Sequence, residues 1–501
     1  MTPQTTTLLG GFTMKLSSLF SRAKGSILLL LGVASLAVSL DASAIPVFAR
    51  QTGFKCVACH VGGEYPQLTS LGRYFKLTGY TQGDAKDFWN LTTNIDRSPF
   101  AVWLQAARQW TTNNSTDINA GGTGSRFDAQ TLSLFAGGKI TDNIGLFTQW
   151  TAGKDTVNNT NSGATWGVSI DNTELRYADH FITGSHDVVV GAYANNRITM
   201  SDVWNTQENW TSDWIGYFNG TGSNWPSSIA PTTFLQSGST SQNLVGLGTY
   251  VFLDKTWYAE LALYKGTSHG PLSFLTEGDG VGSPLLEASP YIRLAYNKEW
   301  GPHSFELGAH GLVARAHNGD VNADPSSGSA ISSWAGSINT YRDVGFDAQY
   351  QYVLDPHYFA AHFRFTHESS SIASDQVGSA ATNYTNNLNE TAADLTYIYQ
   401  AKYGAMLFYR GASGSSDQNL FTNALSGGTL NSVNGNLDWQ SWTPSIFWAP
   451  WQNVRVGYMY TFYTKLAGAG SNNGNITGVN SGSTFGPHDF NTSMLYTSII
   501  Y

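Results

Sequence analysis

From about residue 100 to its end the chain alternates between apolar and polar side chains, and its connections alternate between short and long. No other feature narrows the fold as much. In 344–352, Val344, Phe346, Ala348, Tyr350 and Tyr352 share one parity, and Gly345, Asp347, Gln349 and Gln351 the other. Phe359, Ala361, Phe363 and Phe365 oppose Ala360, His362 and Arg364. Val454, Val456, Tyr458, Tyr460 and Phe462 oppose Arg455, Gly457, Met459 and Thr461. A period of two puts successive side chains on opposite faces of a strand. Here one face is apolar and the other carries charges. About sixteen such segments follow one another, centred near residues 105, 133, 148, 176, 190, 248, 261, 295, 309, 346, 362, 396, 407, 444, 458 and 496.

Alternation alone also suits a sandwich. Connection length separates the two. Short turns fall at 141–143, 183–185, 254–255, 301–302, 355–356 and 450–453, and between them lie long stretches rich in Gly, Ser, Thr and Asn, such as 411–436 and 467–487. An even number of antiparallel strands with short periplasmic turns and long extracellular loops is an outer-membrane β-barrel. The expected fold is therefore all-β, a barrel of about sixteen strands over residues 96–501. Composition agrees. Charged residues make up 12% of the chain, against about 25% in ordinary domains, and aromatics reach 13%. Mean hydropathy of -0.21 excludes a helical membrane protein. A net charge of -9 excludes nucleic acid as a partner, since that calls for a basic surface. Trp110, Trp150, Trp257, Trp300 and Trp448 fall near segment ends, as aromatic girdles do.

Two further regions precede the strands. Lys15, Arg22 and Lys24 lead into the apolar run 27–40, closed by Ala42-Ser43-Ala44. This predicts a secretory signal peptide over residues 1–44. About fourteen apolar residues are too few for a span, which takes about twenty. Then comes Cys56-Val57-Ala58-Cys59-His60, which contains both cysteines of the chain. C-x-x-C-H is the attachment sequence of a c-type haem: two thiols bond the porphyrin and the histidine ligates its iron. A thioredoxin-like pair lacks the histidine and follows a strand. A zinc site wants three or four ligands, and no second Cys/His cluster lies nearby. A disulfide between residues three apart is geometrically awkward. One covalent haem c, held by Cys56 and Cys59 with His60 as proximal iron ligand, is the expectation.

The haem segment, residues 45–95, predicts one helix over 66–79, from Pro66 and from Leu68, Leu71, Gly72 and Phe75 on one face. So short a segment cannot enclose a haem by itself. Between residues 45 and 90 there is no Met, and His60 is the only His. A Met or His sixth ligand must come from beyond residue 90, and parity turns His310, His362, Met406 and Met459 inward as distal candidates; otherwise Lys, Tyr, water or nothing fills the position. Because the first connection is long, the segment and both barrel ends belong on the periplasmic side, where the segment plugs the lumen or faces the periplasm. The inward charges Glu174, Arg176, Glu260, Arg293, Asp347, Asp394 and Arg455 predict a structural ion-pair network. The 195–242 connection carries Trp204, Trp210, Trp214 and Trp225, too many aromatics to lie in water, and should pack into or over the lumen.

The N-terminal region resembles a known family. Residues 45–53 (Ile45-Pro46-Val47-Phe48-Ala49-Arg50-Gln51-Thr52-Gly53), the motif 56–60, Pro66, Leu68, Gly72-Arg73, Phe75-Lys76 and Gly79-Tyr80 look like the start of the fused monohaem cytochrome–porins. Asn195-Asn196 and Asp202-Val203-Trp204-Asn205 resemble a loop signature of the same barrels. That family includes outer-membrane iron(II) oxidases. The resemblance implies oxidation of extracellular Fe(II), with single electrons passing through the haem to a periplasmic carrier, a soluble cytochrome c or copper protein. The alternatives are a conduit for another extracellular donor and a diffusion porin with a structural haem. A peroxidase would need a distal acid–base pair, which is not recognisable.

Overall fold

Every alternating segment forms a strand. The structure is a computed structural model that describes residues 47–63, 66–83, 98–112, 125–154, 166–207, 231–236, 241–266, 275, 285, 287–317, 337–422, 430–470, 476–478 and 484–501. The signal-peptide expectation falls outside the described residues. The strands are β1 (Phe100–Thr111), β2 (Ser125–Lys139), β3 (Ile144–Lys154), β4 (Trp166–Thr183), β5 (His186–Arg197), β6 (Ser241–Leu253), β7 (Trp257–Gly266) and β8 (Ser289–Trp300). They continue as β9 (His303–His317), β10 (Ile338–Leu354), β11 (His357–Ser371), β12 (Thr385–Tyr399), β13 (Tyr403–Gly414), β14 (Trp439–Trp451), β15 (Val454–Leu466) and β16 (Thr492–Ile500).

Each strand pairs antiparallel with the next, and the ladder closes. β1 sets Phe100 opposite Ala136 of β2 and Trp103 opposite Ile500 of β16. β16 in turn sets Ile499 opposite Val454 of β15. The sheet's seventeenth strand, Ala469–Gly470, only folds back on the end of β15, so the wall has sixteen. Closure leaves no unpaired edge. The short turns all lie at one end of the wall. Asp254 and Lys255 take left-handed φ of 52° and 53°, and Gln400 and Ala401 of 56° and 53°, the backbone that two-residue hairpins need. Tyr501 exchanges backbone hydrogen bonds with Val102, so the chain ends at the short-turn end.

Parity decides what faces where. In β10, Asp343, Asp347, Gln349 and Gln351 are buried, while Val344 and Phe346 are 65% and 47% exposed. Outward Leu261, Leu263, Leu294, Leu307, Leu395 and Ile446 behave the same way. Trp257, Trp300, Trp448 and Trp451 stand exposed at the short-turn ends, and Trp110 near the opposite end. A closed antiparallel wall, apolar outside and polar inside with aromatics at its rims, is built for lipid. The chain is an outer-membrane β-barrel.

The N-terminal segment forms three short helices: α1 (Val47–Thr52), α2 (Cys56–Cys59) and α3 (Ser70–Leu77). The helix expected from residue 66 starts at Ser70. The Thr69 hydroxyl accepts from Gly72 N at 3.3 Å and caps it. Residues 67 and 68 are used differently. Gln67 O accepts from Val61 N, and Leu68 bridges to His60. The stretch after Pro66 is therefore extended, tied to the motif rather than wound into the helix.

Candidate haem-attachment site and its seat in the barrel

The C-x-x-C part of the motif is one helical turn. His60 leaves it in extended backbone (φ -119°, ψ 137°), with its N–H donating to Cys56 O at 2.7 Å. Both cysteines are free thiols. Cys56 is buried, and its Sγ accepts from Gln452 Nε2 at 3.0 Å, on the turn between β14 and β15. Burial pushes both thiols above their usual range; the Cys56 charge would raise that of Cys59 further. The motif is held from two sides. Thr69 N donates to Cys59 O at 2.9 Å and Thr69 Oγ1 to Ala58 O at 2.5 Å. On the other side, a Cβ at Gly62 would lie 2.9 Å from Ile398 Cδ1 of β12.

Gly72 sets how closely α3 approaches the motif. A Cβ there would fall on the Cys59 carbonyl oxygen, deep inside van der Waals contact. Backbone cannot move aside as a flexible side chain does. Gly72→Ala is expected to cost about 2–3 kcal/mol of stability. Thermal unfolding measures the loss, against Gly470→Ala, where a Cβ meets nothing within 4 Å.

The segment is seated on inward-facing side chains of the wall. Arg73 donates to Gln349 Oε1 (3.1 Å), Gln351 Oε1 (2.7 Å), Ser304 Oγ (2.6 Å) and Glu299 Oε1 (3.1 Å). Lys76 Nζ donates to the carbonyls of Met200 (2.5 Å) and Asp202 (3.1 Å), and burial lowers its pKa to about 8. Tyr80 OH donates to Glu174 at 2.9 Å. Phe48 packs on Phe75, Tyr80 and Phe147 with ring centroids 5.0–6.1 Å apart.

The distal candidates divide into two pairs. Both imidazoles are engaged in the wall. His310 Nδ1 meets Gln207 Nε2 (2.7 Å) and Asp347 (3.2 Å), and its Nε2 meets Thr366 Oγ1 (3.1 Å). His362 Nδ1 meets Asp394 at 2.7 Å and its Nε2 meets Gln349 at 2.9 Å. The methionines lie differently. Met406 and Met459 share a buried apolar cluster with Val61, the residue after the motif. Phe408, Phe447 and Tyr496 belong to it too, as does Met494 of β16, which the sequence reading passed over. Period-two parity on the last strand already turns Met494 inward.

Most of the predicted ion-pair network forms. Arg176 is bidentate to Glu174 (2.8 and 3.0 Å). Arg293 binds Asp347 (2.7 Å) and Glu306 (2.9 Å). Asp394 pairs with His362. Two members differ. Glu260 accepts hydrogen bonds from the phenols of Tyr193 and Tyr258. Arg455 lies over the Phe447 ring, 4.3 Å from its centroid. Glu260 has no partner of opposite charge at ion-pair distance among the described residues, because parity fixes the face and not the neighbour.

The 195–242 connection enters the lumen, as far as it is described. Trp204 is buried; its Nε1 donates to Asn297 Oδ1 at 3.2 Å, and Arg293 sits 5.6 Å from its ring centroid. Asp202 gathers the N–H groups of Trp204, Thr206 and Gln207. Further on, three wall carboxylates take three consecutive N–H groups. Thr233 donates to Glu390 (2.7 Å), Phe234 to Glu368 (2.5 Å) and Leu235 to Asp343 (2.8 Å). Trp210, Trp214 and Trp225 lie outside the described residues.

No family model and no curated protein sequence matches the chain. Solved structures do. OmpT, an outer membrane protein of Vibrio cholerae, is 10% identical over 80% of this chain and 96% of its own, at a TM-score of 0.39. Salmonella typhi OmpF, solved with daunomycin, is 13% identical over 80% and 97%, at 0.41. The channel DcaP of Acinetobacter baumannii is 12% identical over 80% and 96%, at 0.40. The barrel assignment rests on the closed ladder of this chain and not on those likenesses. Among the described residues no group of three or more His, Cys, Asp and Glu side chains is arranged to hold a metal ion.

Proposed function

We propose that the chain is an outer-membrane c-type cytochrome that oxidises extracellular Fe(II) and hands single electrons to a periplasmic carrier, a soluble cytochrome c or a copper protein. One observation carries the reading: the C-x-x-C-H turn is built into the seat where the N-terminal segment meets the wall, through Gln452, Ile398 and the cluster around Val61. The residues present fit a haem c. Cys56 and Cys59 would hold the porphyrin and His60 its iron. When bound, the haem supplies one-electron exchange, with a potential set by axial ligation and burial.

The chain's own contribution is attachment, exclusion of water and a closed path for solutes. A sixteen-stranded barrel has room for a water-filled channel. Here Arg73, Trp204, Leu235 and Gln349 are all buried inside it. A lumen filled in this way favours passage of electrons over passage of sugars, and so favours a conduit over a diffusion porin. Fe(II) is the substrate and stays outside.

The test is anaerobic addition of Fe(II) to the oxidised, haem-loaded protein across pH. The sharp reduced bands of a c-type haem are expected to rise; an unchanged spectrum would sink the iron-oxidase reading. Liposomes carrying the protein should swell little in small sugars; swelling like that of an open porin would favour the diffusion alternative.

A further inference from the structure

The outer surface of the wall is apolar almost throughout, but its long-loop rim carries a row of basic side chains on β7, β9, β10 and β11. Lys265 (β7), Arg315 (β9), Arg342 (β10) and His367 (β11) share the outward parity of Leu263, Val313, Val344 and Phe363, and all four are exposed. Register places them side by side. Tyr264 opposes Ser289 and Tyr291 opposes Leu312, which brings Lys265 level with Arg315 across β8. Arg315 opposes Thr340, two residues from Arg342. Arg342 opposes Ser369, two residues from His367. Diagonal neighbours of this kind stand about 7–8 Å apart, within reach of two long side chains converging on one group.

Height matters as much as charge. Lys265 lies eight residues along its strand from Trp257, and Arg315 twelve from His303. At about 3.3 Å per residue and about 40° tilt, that is roughly 20–30 Å above the short-turn aromatics. An outer-membrane barrel shows an apolar band about 25 Å tall. These basic side chains therefore mark the upper edge of the lipid-facing band, where headgroups lie. Arg315 also pairs with Glu287, and Arg342 donates to Ser371 Oγ at 3.4 Å, contacts that hold both guanidinium groups at the wall.

We infer that Lys265, Arg315, Arg342 and His367 form a binding site for the phosphate groups of an outer-leaflet lipid. Arginine is the residue suited to this, since its planar fork meets phosphate oxygens with two parallel hydrogen bonds. A lipid bearing two phosphates on one headgroup matches a row that spans several strands. The acyl chains would then lie on Leu261, Leu263, Leu307 and Val344 below it.

The experiment titrates diphosphoryl lipid A into the full-length, haem-loaded protein in neutral detergent and reads bound lipid by native mass spectrometry. Wild-type protein should retain it, and the double variant Arg315→Gln, Arg342→Gln should bind at least about tenfold more weakly, at roughly 1 kcal/mol per cation near a charged surface. Lipid A stripped of both phosphates should bind the wild type as weakly. Inorganic phosphate at millimolar concentration should not displace the lipid; displacement would mean a site for the free ion. Equal retention by wild type and variant, or of both lipids, overturns the inference. If the double variant fails to fold, the two lipids on the wild type still decide. Lys402→Gln, at the opposite rim, is the control that leaves binding unchanged.

Discussion

Cys56→Ala together with Cys59→Ala is expected to abolish covalent haem while leaving the barrel folded. A c-type haem survives denaturation because carbon–sulfur bonds hold it, and these two thiols are the only ones in the chain. On a denaturing gel the double variant should lose all haem-dependent peroxidase stain, and Fe(II) should no longer produce a reduced haem spectrum. The structural cost is small. Cys56 gives up one hydrogen bond from Gln452, worth about 1 kcal/mol, and no strand pairing depends on either side chain. Heat-modifiable migration, the mark of a closed barrel, should persist. A double variant that still stains would rule out attachment through this motif.

Arg73→Met should loosen the whole N-terminal segment. The Arg73 side chain is 3% exposed and donates to Leu68 O, Ser70 Oγ, Gln349, Gln351, Glu299 and Ser304. Its one anionic partner, Glu299, is 39% exposed, so solvent screens much of that attraction. The larger loss is the set of buried neutral acceptors left without a donor. Together these amount to about 2–4 kcal/mol. The unfolding midpoint should fall, and trypsin should cut within residues 47–83 sooner than in the wild type. Lys402→Gln, exposed at the short-turn rim, should leave both unchanged. Equal proteolysis of Arg73→Met and wild type would show that the segment is held by something other than this guanidinium.

What could be read in the sequence, and what could not, divides along a physical line. Period-two alternation is a property of the extended backbone, so each strand announces itself and its inward face locally. All sixteen segment centres fall within strands, and Asp347, Gln349, Met406 and Met459 all face inward as parity requires. Turn length is equally local, and with it came the end of the barrel at which β1 starts and β16 finishes. The C-x-x-C-H motif is five consecutive residues, legible without any fold.

Only the closed barrel decided which inward residues meet. Closure and strand stagger set the depth and bearing of each side chain, and neither quantity is written in a local pattern. His310 and His362 point inward but are bound to Asp347 and Asp394, each on the next strand of the ladder. Met406, Met459 and Met494 come from three strands and gather at Val61. Glu260 met phenols where opposite charge was expected. Helix α3 began at Thr69's cap because residues 67 and 68 were claimed by the motif, a pairing the 3.6-residue period cannot reveal. The sequence by itself determined the wall, the inward face of each strand and the C-x-x-C-H motif. The seat of that motif among distant inward side chains belonged to the tertiary structure, since contacts between far residues depend on how the ladder closes and not on any one stretch of chain.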